Sequence, residues 1–183
     1  MGILQITKEE QELMLSRFRV MHADKDEILV REGMASNRMF FVKKGCLRIY
    51  FLQADGTEAT RYIAFENNFA TALMAFITQE PSLEYVQALE SSELLYISRG
   101  EFYDMMNKVP GWEHFYRKYL ESAYVNNTNR LMSFITMDAT ARYKLLLEEN
   151  PAIVQRLSNK MVANYLGITQ EALSRLKSKL SKG

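Results

Sequence analysis

The sequence predicts an α+β fold: an N-terminal antiparallel β-roll of the double-stranded β-helix, jelly-roll-like kind, then a long helix, then an all-helical end. Three observations carry this expectation. Between Ile28 and Ser98, short apolar and aromatic runs recur at spacings of about ten residues, punctuated by glycine turns. From Trp112 to Asn150 there is neither proline nor glycine, and apolar residues return at steps of three or four. Past Pro151, the pattern divides into two short helices around Gly167.

The chain opens with a short helix. Thr7-Lys8-Glu9-Glu10 has the spacing of a capping box, and Leu13, Met14 and Phe18 follow at helical intervals. Strands are expected at Met39–Val42, Leu47–Phe51, Glu84–Leu89 and Leu94–Ile97. Glu32-Gly33, Lys43-Lys44-Gly45 and Ala54-Asp55-Gly56 supply the turns. Ser98 and Glu101 form a second capping box, launching a helix through Met106.

After Pro110-Gly111 comes the long helix. Its stripe of Trp112, Phe115, Tyr119, Ala123, Asn126, Asn127, Arg130, Leu131 and Phe134 reads as a dimer seam, with an asparagine setting register. A helix packed on its own sheet is the alternative. Asp138 caps a further helix ended by Asn150-Pro151, and the domain boundary is expected near Asp138. The resulting division is 1–110 for the β-roll sensor domain, 111–137 for the long dimerisation helix and 138–183 for an all-α helix-turn-helix DNA-binding domain.

In the terminal segment, Ser158 is a natural N-cap, and Val162, Ala163 and Leu166 form an apolar stripe. Gly167 allows a positive φ at the turn, and Thr169 caps the next helix, expected over 169–181. On that helix Leu173, Leu176 and Leu180 share one face, while Glu171, Ser174 and Arg175 project from the other with Gln170 at the flank. From Pro151 onward Arg156, Lys160, Arg175, Lys177, Lys179 and Lys182 face one anion, Glu171. That segment carries +5 within a chain of net +1, leaving −4 on the first 150 residues. A polar face beside Lys177 and Lys179 suits reading base edges in the DNA major groove, with phosphate anchoring at its margins.

Composition bounds the rest. Hydrophobic residues make up 48% of the 183 and charged residues 25%, ordinary values for a soluble globular protein. Lys8, Glu9, Glu10 and Glu12 interrupt the N-terminus before a signal-peptide core forms, and no window approaches about eighteen apolar residues. A cytoplasmic chain without a membrane partner is expected. Cys46 is the sole cysteine and reads as a small core residue. His22 and His114 fall outside the central strands, so no facial metal triad assembles, and neither a nucleophile triad nor a phosphate loop stands out. The expectation is no enzyme, no metal and no cofactor.

The chain resembles the Crp–Fnr family of bacterial regulators. The residues that carry the likeness are Val30-Arg31-Glu32-Gly33, Phe41–Gly45, Asp55-Gly56 and, most specifically, Leu166–Arg175. The resemblance implies a homodimeric transcription regulator joined through residues 112–134, binding a near-palindromic DNA operator and engaging RNA polymerase. Carried over by position, the DNA-contacting set is Ser158, Thr169, Gln170, Glu171, Ser174, Arg175, Lys177 and Lys179. A rival reading is a regulatory or scaffold protein whose terminal helices bind a protein groove through Leu173, Leu176 and Leu180.

The sensor departs from the family pattern. Cyclic-nucleotide-binding members use a Gly-Glu pair and an arginine, and those positions fall here on Thr71, Ala72 and near Ser82. Tyr62 through Ser98 contains no lysine, arginine or glycine but does contain Glu66, Glu80, Glu84, Glu90 and Glu93. A cyclic phosphate would meet like charge and no glycine nest. An unknown small-molecule effector is left as a possible partner, with Phe69, Thr71, Ala72, Leu73, Ser82, Asn127 and Thr128 as the pocket. Phe69, Leu73, Met74, Phe76 and Ile77 beside the altered cassette either line that pocket or fill a core.

Overall fold

The computed structural model describes residues 7–180. Its chain divides into two compact units, one of residues 1–51 and 62–121, the other of residues 52–61 and 122–183.

The first unit is built on β-strands. After α1 (Lys8–Arg17) come β1 (Arg19–Ala23), β2 (Ile28–Val30), β3 (Arg38–Lys44), β4 (Leu47–Leu52), β5 (Glu58–Ala64) and β6 (Phe69–Ala70). They are followed by α2 (Leu73–Thr78), β7 (Tyr85–Ala88), β8 (Ser92–Ser98), α3 (Arg99–Lys108) and the start of α4 (Pro110–Thr136). The strands form two four-stranded sheets, ordered β1-β8-β3-β6 and β2-β7-β4-β5. β1–β8, β3–β8, β3–β6, β2–β7 and β4–β7 pair antiparallel. Strand alternation explains the layers. Phe40, Val42, Leu94 and Ala70 point inward with Leu47, Ile49, Val86 and Ala88 from the second sheet. On the opposite face of the first sheet, Met39 and Ile97 join Phe76, Phe102, Met105, Val109 and Trp112.

Both expected capping boxes are present. The Thr7 and Ser98 hydroxyls accept from the Glu10 and Glu101 amides, and each glutamate returns a carboxylate to its cap's backbone N–H. Cys46 is fully buried in the turn between β3 and β4. Pro110 does not precede the long helix but opens it. Its fixed φ suits the first helical turn, where a missing N–H costs nothing.

The proposed stripe on α4 is divided by the structure. Trp112 is fully buried, donates its indole N–H to the Phe102 carbonyl at 3.0 Å, and packs with Phe115 in the first unit's own core. Arg130 and Phe134 are also engaged within their own unit, as described below. The exposed large apolar residues of the second half are Tyr124, Val125, Leu131, Met132, Phe134 and Ile135, of which Leu131 and Phe134 belong to the expected stripe. Trp112 is thus a core residue rather than part of a seam.

The second unit holds the tip of the β4–β5 hairpin, the rest of α4, then α5 (Ala139–Glu149), α6 (Pro151–Arg156), α7 (Asn159–Leu166) and α8 (Gln170–Leu180). Asp138 caps α5 by accepting from the Ala141 amide at 2.8 Å. The sequence reading has no counterpart for α6. Asn150-Pro151 ends one helix as expected, and the same proline then occupies the first turn of the next. Tyr143, Leu146, Ile153, Val162, Ala163, Leu166 and Leu173 are the buried apolar residues of these four helices. Among the described residues no helix is long and apolar enough to cross a membrane.

Candidate nucleic-acid interface and sensor positions

The α7–α8 pair follows from local chemistry. Ser158 Oγ accepts from the Met161 amide at 3.3 Å and starts α7. Gly167 adopts φ +68, and the Ile168 amide reaches back to the Ala163 carbonyl at 3.0 Å, closing the helix in a left-handed cap. A Cβ on Gly167 would lie 2.7 Å from Cε1 of Phe134, so both conformation and space require glycine there. Thr169 Oγ1 then accepts from the Ala172 amide at 3.1 Å and starts α8.

The faces of α8 are separated. Leu173 is fully buried while Leu176 and Leu180 are half-buried, and Gln170, Glu171, Ser174, Arg175 and Ser178 are exposed. Its own backbone N–H at the helix start, then the Thr169 hydroxyl and the Arg175 charge, hold the Glu171 carboxyl below the usual carboxylate range. It is an acceptor at neutral pH. Lys179 is exposed. Lys177 is not a free anchor: its Nζ donates to Asn159 Oδ1 at 2.6 Å, tying α8 back to the start of α7. Ser158 and Thr169 serve as helix caps, so their hydroxyls already accept hydrogen bonds.

A cluster that sequence reasoning missed sits beside this pair, inside the same unit. Arg130 donates to the Thr60 carbonyl at 2.8 Å and to the Tyr165 carbonyl at 2.6 Å. Its guanidinium lies 3.9 Å from the centre of the Tyr165 ring and 4.9 Å from that of Phe134. Asn164 Oδ1 accepts from the Thr60 amide at 2.8 Å, and its Nδ2 donates to the Glu58 carbonyl. Two signals were available. Asparagine is a poor helix former inside α7, and an arginine was the one charged residue in the stripe on α4.

The sensor positions fall in different units, Phe69, Thr71, Ala72, Leu73 and Ser82 in the first, Asn127 and Thr128 in the second. Thr71 is 1% exposed; its hydroxyl donates to the Arg38 carbonyl at 2.8 Å and therefore accepts from Ser36 Oγ, 3.0 Å away. Ser82, equally buried, donates to the Glu84 carbonyl at 2.8 Å and accepts from the Glu84 amide at 3.0 Å. Ala72 and Phe76 are fully buried, Leu73 is half-buried, and Met74 and Ile77 face outward. Asn127 is exposed and accepts from Arg61 at 3.3 Å. Six of the thirteen buried residues lining the inner layer are alanines, which makes that layer one of small side chains.

Phe69 lies on the outer side of the first sheet. With Met14, Phe18, Phe41, Leu95, Trp112 and Phe115 it lines an apolar groove of about 220 Å³. Rings surround it, Phe41 5.1 Å and Phe115 5.3 Å from Phe69 between centroids. Among the described residues no group of three histidine, cysteine or carboxylate side chains could hold a metal ion.

Residues 20–109 match the cyclic nucleotide-binding domain family. The two-sheet unit therefore has the cyclic-nucleotide-binding form, and solved structures share the fold of this chain. FixK2 from Bradyrhizobium japonicum superposes with a TM-score of 0.78 at 16% identity, covering 90% of this chain and 85% of its own. A transcriptional regulator assigned to the Crp/Fnr family from Eubacterium rectale gives 0.73 at 18%, covering 96% of this chain and 84% of its own. In sequence, the human patatin-like phospholipase domain-containing protein 6 is 28% identical over 102 residues, 56% of this chain. This chain spans 7% of that relative's length.

Proposed function

We propose that this chain is a DNA-binding transcription regulator of the Crp–Fnr type, a homodimer that reads a near-palindromic operator with α8. The observation that carries the reading is the division of α8. Leu173 anchors one face in the core, and Gln170, Glu171, Ser174 and Arg175 stand exposed on the other. A helix held this way, behind a tight turn, presents hydrogen-bonding side chains at the width of a major groove. Arg175 is assigned to guanine and Glu171 to a cytosine amino group. The buried and half-buried state of Leu173, Leu176 and Leu180 speaks against the rival reading, in which those leucines enter a protein groove.

The dimer contact is assigned to the second half of α4. Tyr124, Thr128, Leu131 and Ile135 follow steps of four, three and four, with Val125 and Met132 flanking, and the five apolar members are at least half exposed. The effector, where one is used, is not cyclic AMP bound by the family's phosphate cassette. Thr71 and Ser82 spend their hydroxyls on the backbone carbonyls of Arg38 and Glu84, and the sequence from Tyr62 to Ser98 contains no lysine or arginine. RNA polymerase is the expected partner at the promoter.

Selection of duplexes from a random library, followed by fluorescence anisotropy, tests the central claim. The wild-type chain enriches an inverted repeat whose half-sites are one helical turn apart. Arg175→Ala weakens binding to it by roughly tenfold to a hundredfold, the loss of one bidentate base contact. Equal binding by this variant would remove base reading from α8.

A further inference from the structure

The β4–β5 hairpin tip and the α7–α8 pair belong to one compact unit, and two side chains join them. β5 ends its sheet in the order β2-β7-β4-β5, so one side of that strand lacks a neighbour. Edge strands leave backbone N–H and C=O groups in need of partners. Asn164 supplies both. Its amide accepts from Thr60 N–H and donates to the Glu58 carbonyl, the same pairing an adjacent strand would make. Among neutral side chains, only a primary amide offers a donor and an acceptor side by side in this way.

Arg130 makes the second point of attachment. One of its nitrogens donates to Thr60 O in the hairpin and to Tyr165 O in α7, whose carbonyl is among the last of that helix and lacks an intrahelical partner. Tyr165 and Phe134 flank the guanidinium, and Phe134 also touches the Gly167 turn. Thr60, the residue held from both sides, is 3% exposed. Gly167 leads directly into α8, so the orientation of the reading helix is set three residues from Asn164.

We propose that Asn164 and Arg130 are positioning residues that latch the hairpin tip to α7 and thereby fix how α8 is presented to DNA. The proposal rests on the DNA-reading function above. β5 runs from Glu58 to Ala64, so Thr60 lies within a continuous strand. Asn164→Asp tests it with little change in size: a carboxylate oxygen replaces the donor that faces Glu58 O. Arg130→Lys keeps the charge but loses the planar fork, and gives a second reading should the first variant fold poorly.

Hydrogen exchange is measured on the full chain over segments 52–61, 85–98 and 170–180, together with affinity for the duplex that the wild type selects. In Asn164→Asp, exchange over 52–61 accelerates about tenfold or more while 85–98 is unchanged, and DNA affinity falls about tenfold, as expected when the half-buried Glu58 carbonyl loses its donor and meets a carboxylate oxygen instead. The slope of affinity against salt stays constant, because the number of phosphate contacts is the same. Unchanged exchange over 52–61 in both variants overturns the latch. A loosened hairpin with unchanged or tighter DNA binding overturns the positioning role. If the wild type selects no duplex, the DNA reading fails alone, and the exchange result still decides the latch.

Discussion

Arg19 and Glu101 join distant parts of the first unit through two parallel hydrogen bonds of 2.8 and 2.7 Å. Glu101 is also the returning member of the Ser98 capping box. The Arg19 guanidinium, then the Ser98 hydroxyl, hold its carboxyl down from 4.5 to about 2. A carboxylate whose pKa is depressed by folding stabilises the native state above its unfolded value, and that stability is lost as pH falls through the folded one. Glu101→Gln therefore costs about 1 kcal/mol at pH 7, mainly the charged cap, since the Arg19 end is solvent-screened. The difference between variant and wild type should shrink as urea midpoints are taken from pH 5 down to pH 2.5. A difference constant across that range would contradict the assigned cause. The capping half of this arrangement was legible in Ser98-Arg99-Gly100-Glu101. The partnership with Arg19 was not, because it joins residues 82 positions apart.

At the scale of elements, caps and turns were the most legible features, since each depends on residues within four positions. Thr7, Ser98, Asp138, Ser158 and Thr169 all cap as their spacing indicated. The division of α4 was not legible, because periodicity marks a stripe without saying what covers it. The same reasoning explains Arg130: on sequence it is a polar break in a seam, and in the structure it is a hydrogen-bonded node. The uncovered residues make a prediction. Leu131 is 60% exposed and Ile135 68%, on one face of a helix whose unit leaves both to solvent. If they meet a second copy, the double variant Leu131→Glu/Ile135→Glu places four like charges in the seam and raises the dimer dissociation constant by at least about a hundredfold. Sedimentation equilibrium should then give a monomer with wild-type helix content. An unaltered dimer would move the interface elsewhere on the chain.

For the whole molecule, fold and ligand chemistry separate. The two-sheet unit has the cyclic-nucleotide-binding form; turns and strand spacing made an antiparallel roll legible, and only the likeness to Crp–Fnr regulators pointed to that particular form. Where it would hold a cyclic phosphate, the sequence already lacked cations, and the structure adds a physical reason. Thr71 fastens to the start of β3 and Ser82 to the segment before β7, so an anion at either hydroxyl would have to break the hydrogen bonds those side chains make. The apolar groove beside Phe69 was not legible beyond that one residue, because α1, three strands and the start of α4 converge there only in the folded chain. A ligand bound with micromolar affinity and supplied at a thousandfold excess over its dissociation constant stabilises a protein by about 4 kcal/mol, a shift of roughly 8–16 °C for a chain of this size. Cyclic AMP at millimolar concentration should move the melting temperature by less than about a tenth of that expectation. A shift of several degrees that disappears in Thr71→Val would restore the cassette as a nucleotide site, and with it the family's ordinary switch.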